Sequence, residues 1–198
     1  MATPPLDREP IPAWVTPAEG FTAEEFLALP DLPRHTELID GGLVFVAPQR
    51  NFHMAMIDFL THEFRRQVPA GVRATREMAV RIGDRTVLEP DILLIRADQT
   101  PDPTRTIYQP SELVLAIEVT SPDSAERDRD TKPHKYARVG IPHYWRVEES
   151  DFRPVIYTYR LDPTTRAYVI TGIHHDQFQV AEPIEFVAEL SGVEQYYG

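Results

Sequence analysis

Two short apolar segments, each containing a carboxylate, constrain the fold of this chain more than any other feature of its sequence. Residues 89–95 read Glu-Pro-Asp-Ile-Leu-Leu-Ile, and residues 113–121 read Leu-Val-Leu-Ala-Ile-Glu-Val-Thr-Ser. Short runs rich in leucine and β-branched residues are typical of strands that are buried on both faces of a sheet. Asp91 and Glu118 therefore lie where an ionised carboxylate is costly unless a cation meets it.

The two predicted strands are consecutive along the chain, and the connection between them has no helical pattern. Consecutive strands usually neighbour each other, and without a crossover helix antiparallel pairing is favoured. We therefore expect Asp91, at the start of one strand, to lie beside Glu118, near the end of the other. Two such carboxylates do not both ionise cheaply, so a divalent cation that prefers oxygen ligands, or a lysine, is expected between them. For each acid alone, an ordinary ion pair or cap is the alternative.

Composition limits the classes of protein to which this chain can belong. Its 198 residues suit one domain, and its formal net charge of -11 argues against tight non-specific binding to nucleic acid. A small site that handles phosphate through a bound cation is still compatible with this charge. The absence of cysteine excludes disulfides and thiolate metal sites. No run is long enough to span a membrane, and a cytoplasmic location is expected.

Periodicity and turn residues divide the first half of the chain. We expect a proline-rich extended arm over residues 1–20, followed by a single domain over 21–198. Thr22 and Glu25 form a capping box, and Asp40-Gly41 supplies a hairpin turn. The predicted elements are a helix over 23–29, a hairpin over 36–46, a helix over 51–68 and strands over 72–82 and 87–96.

The second half of the chain continues the same alternation of strands and helices. A strand is predicted over 112–120 and a helix from 130 or 131 to 139, with Pro133 in its first turn and Gly140 at its C-cap. Strands over 143–147, 154–161 and 166–171 follow, whereas the pattern over 184–197 does not assign a structure. The fold class expected is α/β, with one mixed sheet flanked by helices.

Several short motifs, taken in their order and spacing, resemble a known family of proteins. The motifs are Glu37-Leu38-Ile39-Asp40-Gly41, His53, Pro90-Asp91, Glu118-Val119-Thr120-Ser121-Pro122, Asp128-Arg129, Lys132, Tyr136 and Gly140-Ile141-Pro142-His143-Tyr144-Trp145. They resemble the PD-(D/E)xK nuclease superfamily, and within it the restriction-endonuclease-like proteins that are abundant in cyanobacteria. The resemblance spans roughly residues 22–175.

This resemblance implies a restriction-endonuclease-like fold and Mg²⁺-dependent (or Mn²⁺-dependent) hydrolysis of DNA phosphodiester bonds. Asp91 and Glu118 would bind the metal, with the carbonyl of Val119 as a further ligand. The metal would lower the pKa of a water molecule and stabilise charge at phosphorus. Glu37 is either a supporting acid or an ordinary carboxylate at the end of a strand. The fold analogy also suggests a homodimer.

The superfamily lysine, which usually follows the second acid by two residues, is replaced here by Thr120. The resembled branch places a lysine on the next helix, and its spacing to Tyr136 identifies that lysine as Lys132. Lys135, three residues on, is the rival because it lies on nearly the same face of the helix. Each of the two is otherwise a solvated surface lysine.

Two further questions stay open at the level of sequence. His53 is a candidate base or substrate contact, although a histidine at the start of a helix is more often a cap or a surface residue. A protein that keeps the fold as a binding or interaction module, without catalysis, is the alternative function. The acidic net charge and Thr120 favour that alternative, whereas the cost of an unused buried acid pair favours the enzyme.

Overall fold

The structure, a computed structural model, describes residues 17–97 and 102–197. Its strands are β1 (Glu37–Ile39), β2 (Gly42–Val44), β3 (Val72–Arg76), β4 (Ala79–Gly83), β5 (Thr86–Leu88), β6 (Ile92–Arg96), β7 (Ile107–Tyr108), β8 (Leu113–Val119), β9 (His143–Ser150), β10 (Arg153–Asp162), β11 (Ala167–His174), β12 (Gln177–Val180) and β13 (Phe186–Glu189). The α-helices are α1 (Ala23–Ala28), α2 (Asn51–Gln67) and α3 (Lys132–Arg138).

A six-stranded sheet with the order β11-β10-β9-β8-β6-β3 forms the centre of the molecule. Strand β8 pairs antiparallel with β6 and parallel with β9, so the sheet is mixed. A second sheet has the order β2-β1-β5-β4-β7. The expected fold class, α/β with a mixed sheet and flanking helices, is confirmed, although the strands form three sheets and not one, the third being the pair β12-β13.

Each face of the central sheet buries its own hydrophobic core. On one face Met56, Leu60 and Phe64 of α2 belong to the same cluster as Ile117 and Trp145. On the other face Leu93, Ala116 and Tyr144 cluster with Tyr136 of α3 and Val80 of β4. Successive side chains of a strand point to opposite faces. Glu118 follows Ala116 by two residues and therefore lies on the face that carries α3.

The local predictions for the first half of the chain hold at three elements. Thr22 and Glu25 exchange both hydrogen bonds of a capping box at the start of α1. Asp40 and Gly41 have positive φ angles of 51° and 89°, as the tight turn between β1 and β2 requires. Helix α2 ends one residue before the predicted limit of 68.

Two predicted long strands are wrong, because each is divided between the two sheets. The segment 72–82 forms β3 in the central sheet and β4 in the second sheet, with a break at Glu77, whose φ is 53°. The segment 87–96 forms β5 and β6 in the same way, and Pro90, which has no N–H for a ladder, lies at that break. Because apolar residues continue through both segments, the sequence pattern does not reveal that each strand changes from one sheet to the other.

The second half of the chain agrees with the predictions more closely. Helix α3 follows a π-helical turn over Arg127–Thr131, and Gly140 beyond it has a φ of 81°. The three predicted strands correspond to β9, β10 and β11. The unassigned tail forms β13 and a 3₁₀ helix over Leu190–Tyr196, and Leu190 joins the core beside α2.

The predicted N-terminal arm lies mostly outside the described residues, and the structure bears on membrane-spanning helices only within those residues. Residues 1–16 of the predicted arm lie outside the described residues, and the single domain over 21–198 stays a prediction. Among the described helices, none has the length and apolar character needed to cross a membrane.

Candidate active site

Asp91 and Glu118 lie together at one end of the β6–β8 pair, as the antiparallel arrangement predicted. Ile92 pairs with Ile117 in the register, which sets Asp91 opposite Glu118 on the same face of the sheet. The backbone N–H of Val119 donates a 2.6 Å hydrogen bond to Oδ2 of Asp91. Asp91 is thus tied to the end of β8, next to the carboxylate it was predicted to join.

Lys132, from the first turn of α3, reaches the carboxylate of Glu118. Its Nζ lies 2.9 Å from Oε2 of Glu118, 3.1 Å from Oε1 of Glu37 and 3.6 Å from Oδ1 of Asp128. All four side chains are buried. One ammonium group therefore faces three carboxylates that have little contact with bulk water.

Lys135 lies elsewhere, although it is only three residues further along the helix. Its Nζ donates hydrogen bonds of 2.7 and 2.8 Å to the two carboxylate oxygens of Asp40, which is 76% exposed. The Asp40 carboxylate belongs to the turn between β1 and β2, on the surface. Of the two rival lysines, only Lys132 contacts Glu118.

Tyr136 contacts the other oxygen of Glu118. Its hydroxyl donates a 2.6 Å hydrogen bond to Oε1 of Glu118, one helical turn beyond Lys132. The ring of Tyr136 packs in the core on the α3 face of the sheet, and its hydroxyl has this polar contact in addition. Both oxygens of Glu118 consequently have protein partners.

The pKa values in this cluster reflect burial and an excess of carboxylates. Burial raises the pKa of Glu118 well above its usual range, opposed by Lys132 and reinforced by the charge of Asp128. Burial also raises the pKa of Asp128. For Lys132 burial acts in the opposite direction, yet Glu118 and Glu37 raise its pKa well above the usual range. The ammonium group therefore keeps its proton across the physiological range.

His53, from the first turn of α2, reaches Asp91 from the other side of the site. Its Nε2 lies 3.3 Å from Oδ1 of Asp91, and the residue is 6% exposed. Within the described part of the chain, the buried Nδ1 of His53 has no hydrogen-bond partner. Burial would lower the pKa of this imidazole, but the contact with Asp91 raises it. His53 is thus neither a helix cap nor a surface residue.

Asp128 is the site residue that sequence reasoning missed, although it stands in one of the resembling motifs. It is 1% exposed, and its Oδ2 accepts a 2.5 Å hydrogen bond from the hydroxyl of Ser124. The signal that could have found it is its spacing of four residues before Lys132, which places both on one face of a helix. A run of charged residues over 126–130 concealed that signal.

A cavity of about 220 Å³ opens onto these side chains. Glu37, Asp91, Glu118, Asp128 and Lys132 all line it, together with His53 and residues of the 121–124 loop. Half-buried Glu89 also lines it, and its carboxylate lies 2.6 Å from Nδ1 of His35. In this acidic cavity carboxylates therefore outnumber the cations of the wall, which are Lys132, Arg50 and Arg127.

The donor set fits a hard divalent cation in chemistry. Carboxylate oxygens are the ligands that Mg²⁺ prefers, and it commonly takes only one or two of them with water and phosphate. Oδ1 of Asp128 is buried and, among the described residues, has no hydrogen-bond partner beyond its ion pair with Lys132. No group of three or more His, Asp or Glu side chains converges on one metal position within residues 17–97 and 102–197. A site built on one or two carboxylates, with water and phosphate as the other ligands, is what these residues could offer.

Comparison with solved structures identifies the class of fold. A crystal structure of a "putative nuclease belonging to DUF820" from Anabaena variabilis superimposes with a TM-score of 0.67 at 17% identity, covering 90% of this chain and 99% of that one. NucC from Pseudomonas aeruginosa, in its cAAA-bound form, gives a TM-score of 0.36 at 10% identity over 58% of this chain and 69% of that one. The first match shows that this chain has the fold of that DUF820 protein.

Sequence comparison gives the particular family. The model of the Uma2 family, described as "Putative restriction endonuclease", matches residues 23–191, and the chain belongs to that family. No curated protein matches the chain. The predicted membership of a restriction-endonuclease-like family is confirmed.

Proposed function

We propose that this protein is a Mg²⁺-dependent endonuclease that hydrolyses phosphodiester bonds in DNA. The observation that carries the proposal is the meeting of Asp91, Glu118 and the Lys132 ammonium in one cavity. Membership of the Uma2 family supports the reaction class. Mn²⁺ would replace Mg²⁺ because both accept oxygen ligands.

In this proposal Asp91 and Glu118 hold the metal, and the carbonyl of Val119 is a further ligand. When bound, the ion would supply Lewis-acid stabilisation of the phosphate and a lowered pKa for a water molecule. The hydrogen bond from the Val119 N–H fixes the orientation of the Asp91 carboxylate. That bond leaves the second oxygen of Asp91 on the side of the cavity that His53 faces.

Lys132 performs the role of the superfamily lysine from a different position in the chain. Its ammonium group would orient the attacking water and stabilise the additional negative charge of the transition state. Glu37 and Asp128 keep that group charged and hold it beside Glu118. Thr120, which stands at the usual lysine position, is then not required for the reaction.

A second candidate, a nuclease-fold binding module without catalysis, is favoured by one observation. Both oxygens of Glu118 already have partners in Lys132 and Tyr136, so a metal must share or displace them. Catalysis therefore requires that a divalent cation compete with these contacts. Binding of the metal separates the two candidates.

Plasmid cleavage tests the enzyme directly. The purified protein should nick supercoiled plasmid in Mg²⁺ or Mn²⁺ and not in EDTA, and Asp91→Asn or Glu118→Gln should abolish nicking. Asp40→Asn is the matched control, because it removes a carboxylate from the other lysine at an exposed position. Equal nicking by wild type and both site variants would refute the assignment.

Thermal melting tests the metal separately from cleavage. Metal at about 100 times its dissociation constant should stabilise the folded state by about 2.7 kcal/mol. Mn²⁺ should raise the melting temperature of the wild type and leave that of Asp91→Asn unchanged. A wild type without any shift and without nicking would instead favour the binding module. A homodimer, which would supply two sites for two strands, is also part of the proposal and is measured by light scattering.

A further inference from the structure

A second cavity, of about 180 Å³, lies on a different side of α3 from the acidic one. Lys132 lines the acidic cavity, whereas its neighbours Pro133 and His134, with Ala137 one turn later, line this second cavity. Residues three and four apart share a helix face, and adjacent residues do not. Helix α3 therefore separates two cavities of different character.

Tyrosine rings form one wall of the second cavity. Tyr144 of β9 and Tyr159 of β10 are cross-strand partners, with ring centroids 5.7 Å apart and planes inclined by 30°. The ring of Tyr168 on β11 lies 5.6 Å from that of Tyr144. The hydroxyl groups of Tyr144 and Tyr168 are bonded to backbone carbonyls, which fixes both rings. These three rings are called here the tyrosine platform. Tyr144, which is 1% exposed, lies beneath it, and the half-buried rings of Tyr159 and Tyr168 are its accessible part.

Two arginines stand at the edge of the tyrosine platform and share one carboxylate. Arg129 donates bonds of 2.9 and 2.8 Å to Glu148, and Arg146 donates one of 2.7 Å to the same side chain. The Arg146 guanidinium also lies 4.7 Å above the ring of Tyr157 and 5.7 Å from that of Tyr159. Two guanidinium groups therefore share one carboxylate here, and the exposed carboxylate of Asp130 lies 3.5 Å from His134 in the same wall. A guanidinium has five N–H donors, so each can bond an anion in addition to Glu148.

We propose that this cavity binds one nucleotide, with its base on the tyrosine platform and its phosphate on Arg129 and Arg146. Bases stack on aromatic side chains regardless of sequence, because every base has a π-face. Guanidinium groups bind phosphate through paired, charge-assisted hydrogen bonds. The volume is below the ~300 Å³ of a drug-sized cleft and suits a single planar ring system. A peptide carboxylate would use the arginines but leave the platform unoccupied.

The proposal does not depend on metal-dependent cleavage in the acidic cavity. The nucleotide is either free or one unit of a nucleic-acid strand, and both sources present the same base and phosphate. Arg129 follows Asp128 directly in the chain. A strand that contacts both cavities would therefore pass along the π-helical turn that carries these two residues.

Isothermal titration calorimetry in EDTA provides the measurement, because EDTA prevents metal-dependent cleavage. The ligands are the four nucleoside 5′-monophosphates, ribose 5-phosphate and a short single-stranded oligodeoxynucleotide. At least one nucleotide should bind about tenfold or more tightly than ribose 5-phosphate, as stacking of the base would provide. Equal affinity for ribose 5-phosphate, or no binding of any nucleotide or oligonucleotide, would overturn the proposal.

Three variants assign the binding to this cavity. Ala167→Leu adds a side chain from an exposed position in the wall and should abolish nucleotide binding. Arg129→Ala should weaken it about tenfold, as expected for one charge-assisted hydrogen bond. Arg153→Ala is the matched control, since that arginine is 79% exposed on β10 and lines a different cavity. Unchanged binding in Ala167→Leu, with an unchanged melting temperature, would overturn the assignment.

The same titrations distinguish a free nucleotide from a nucleic-acid strand. They also test the nucleotide site separately from the proposed endonuclease activity. Competition of the oligonucleotide with the mononucleotide, lost in Ala167→Leu, would identify a strand as the ligand. Tight mononucleotide binding without such competition would identify a free nucleotide, and either result supports the site. Asp91→Asn should bind the nucleotide as well as the wild type. If the protein binds the nucleotide but does not nick plasmid, only the proposed endonuclease function is refuted.

Discussion

The two cavities beside α3 present different charged groups, although they belong to one strongly acidic chain. In the acidic cavity several carboxylates face the single ammonium of Lys132, and all of these groups are buried. In the second cavity the guanidinium groups of Arg129 and Arg146 share Glu148 beside a wall of tyrosine rings. The comparison shows that a net charge of -11 does not decide the charge of a particular site.

Because their charged groups differ in burial, the two cavities also differ in how much their ion pairs contribute to the free energy of unfolding. The Lys132 side chain is 6% exposed, whereas that of Arg129 is 55% exposed. A buried ion pair that loses one partner leaves an uncompensated charge, but an exposed pair contributes little. Substitutions around Lys132 should therefore change stability, and those around Arg129 should mainly change binding.

The largest effect is expected from Lys132→Met, which removes the ammonium group that faces Glu118. We expect a loss of about 3–5 kcal/mol in the free energy of unfolding, measured by chemical denaturation. Without Lys132 the pKa values of Glu118 and Asp128 should rise further above those of the unfolded chain. The folded state then binds more protons than the unfolded state, so the loss should grow as the pH rises from about 5 to about 8.

A loss that is equal at both pH values would contradict this account of Lys132. Purely steric damage from the substitution would produce that result. The triple variant Lys132→Met, Glu118→Gln, Asp128→Asn is the control, because it removes the uncompensated charges. It should recover part of the stability at pH 8.

A smaller effect is expected from Tyr136→Phe, which removes the hydroxyl that donates to Oε1 of Glu118. Loss of a buried hydrogen bond to a charged group should cost about 1.5–3 kcal/mol. It should also change plasmid nicking, because it alters a proposed metal ligand. Tyr144→Phe is matched, since its hydroxyl bonds the carbonyl of Asp128 and not a site carboxylate. If both variants nick plasmid equally, Tyr136 has only a packing role.

A moderate increase in nucleotide binding is expected from Glu148→Gln in the second cavity, together with some loss of stability, because Arg146 is 13% exposed and loses its carboxylate partner. This change releases two guanidinium groups from their shared carboxylate. The Glu148 side chain is only 15% exposed. Nucleotide affinity should increase several-fold, and it should fall more steeply with salt than in the wild type. Calorimetry at two salt concentrations gives this comparison. Unchanged affinity would show that the arginines do not contact the phosphate.

The smallest effect is expected from Lys135→Ala. Its partner Asp40 is exposed, so the loss in the free energy of unfolding should be at most about 1 kcal/mol. Hydrogen bonding to Lys135 lowers the pKa of Asp40, and a lowered carboxyl pKa stabilises the fold only above the unfolded value. The small loss should therefore disappear as the pH falls through the range of that carboxyl. Plasmid nicking equal to wild type should accompany it, and a defect like that of Lys132→Met would contradict the choice of lysine.

Local sequence patterns predicted the elements whose contacts are close together in the chain. The capping box at Thr22, the turn at Asp40-Gly41 and helix α2 depend on spacing within a few residues. The pairing of Asp91 with Glu118 was also predictable, because two consecutive strands without a crossover helix leave one favoured arrangement. These features follow from backbone geometry and the period of apolar residues.

Only the tertiary structure decided which strands share a sheet and which side chains meet. The breaks at Glu77 and Pro90 follow from packing of two sheets, which a continuous apolar run does not reveal. Spacing could not choose between Lys132 and Lys135, because the choice depends on the rotation of α3 against β8. The same rotation brings Asp128 and Tyr136 to the acid pair. The sequence alone therefore determined the two carboxylates and their pairing, whereas the packing of α3, of the turn before it and of β1 and α2 determined the groups that surround them.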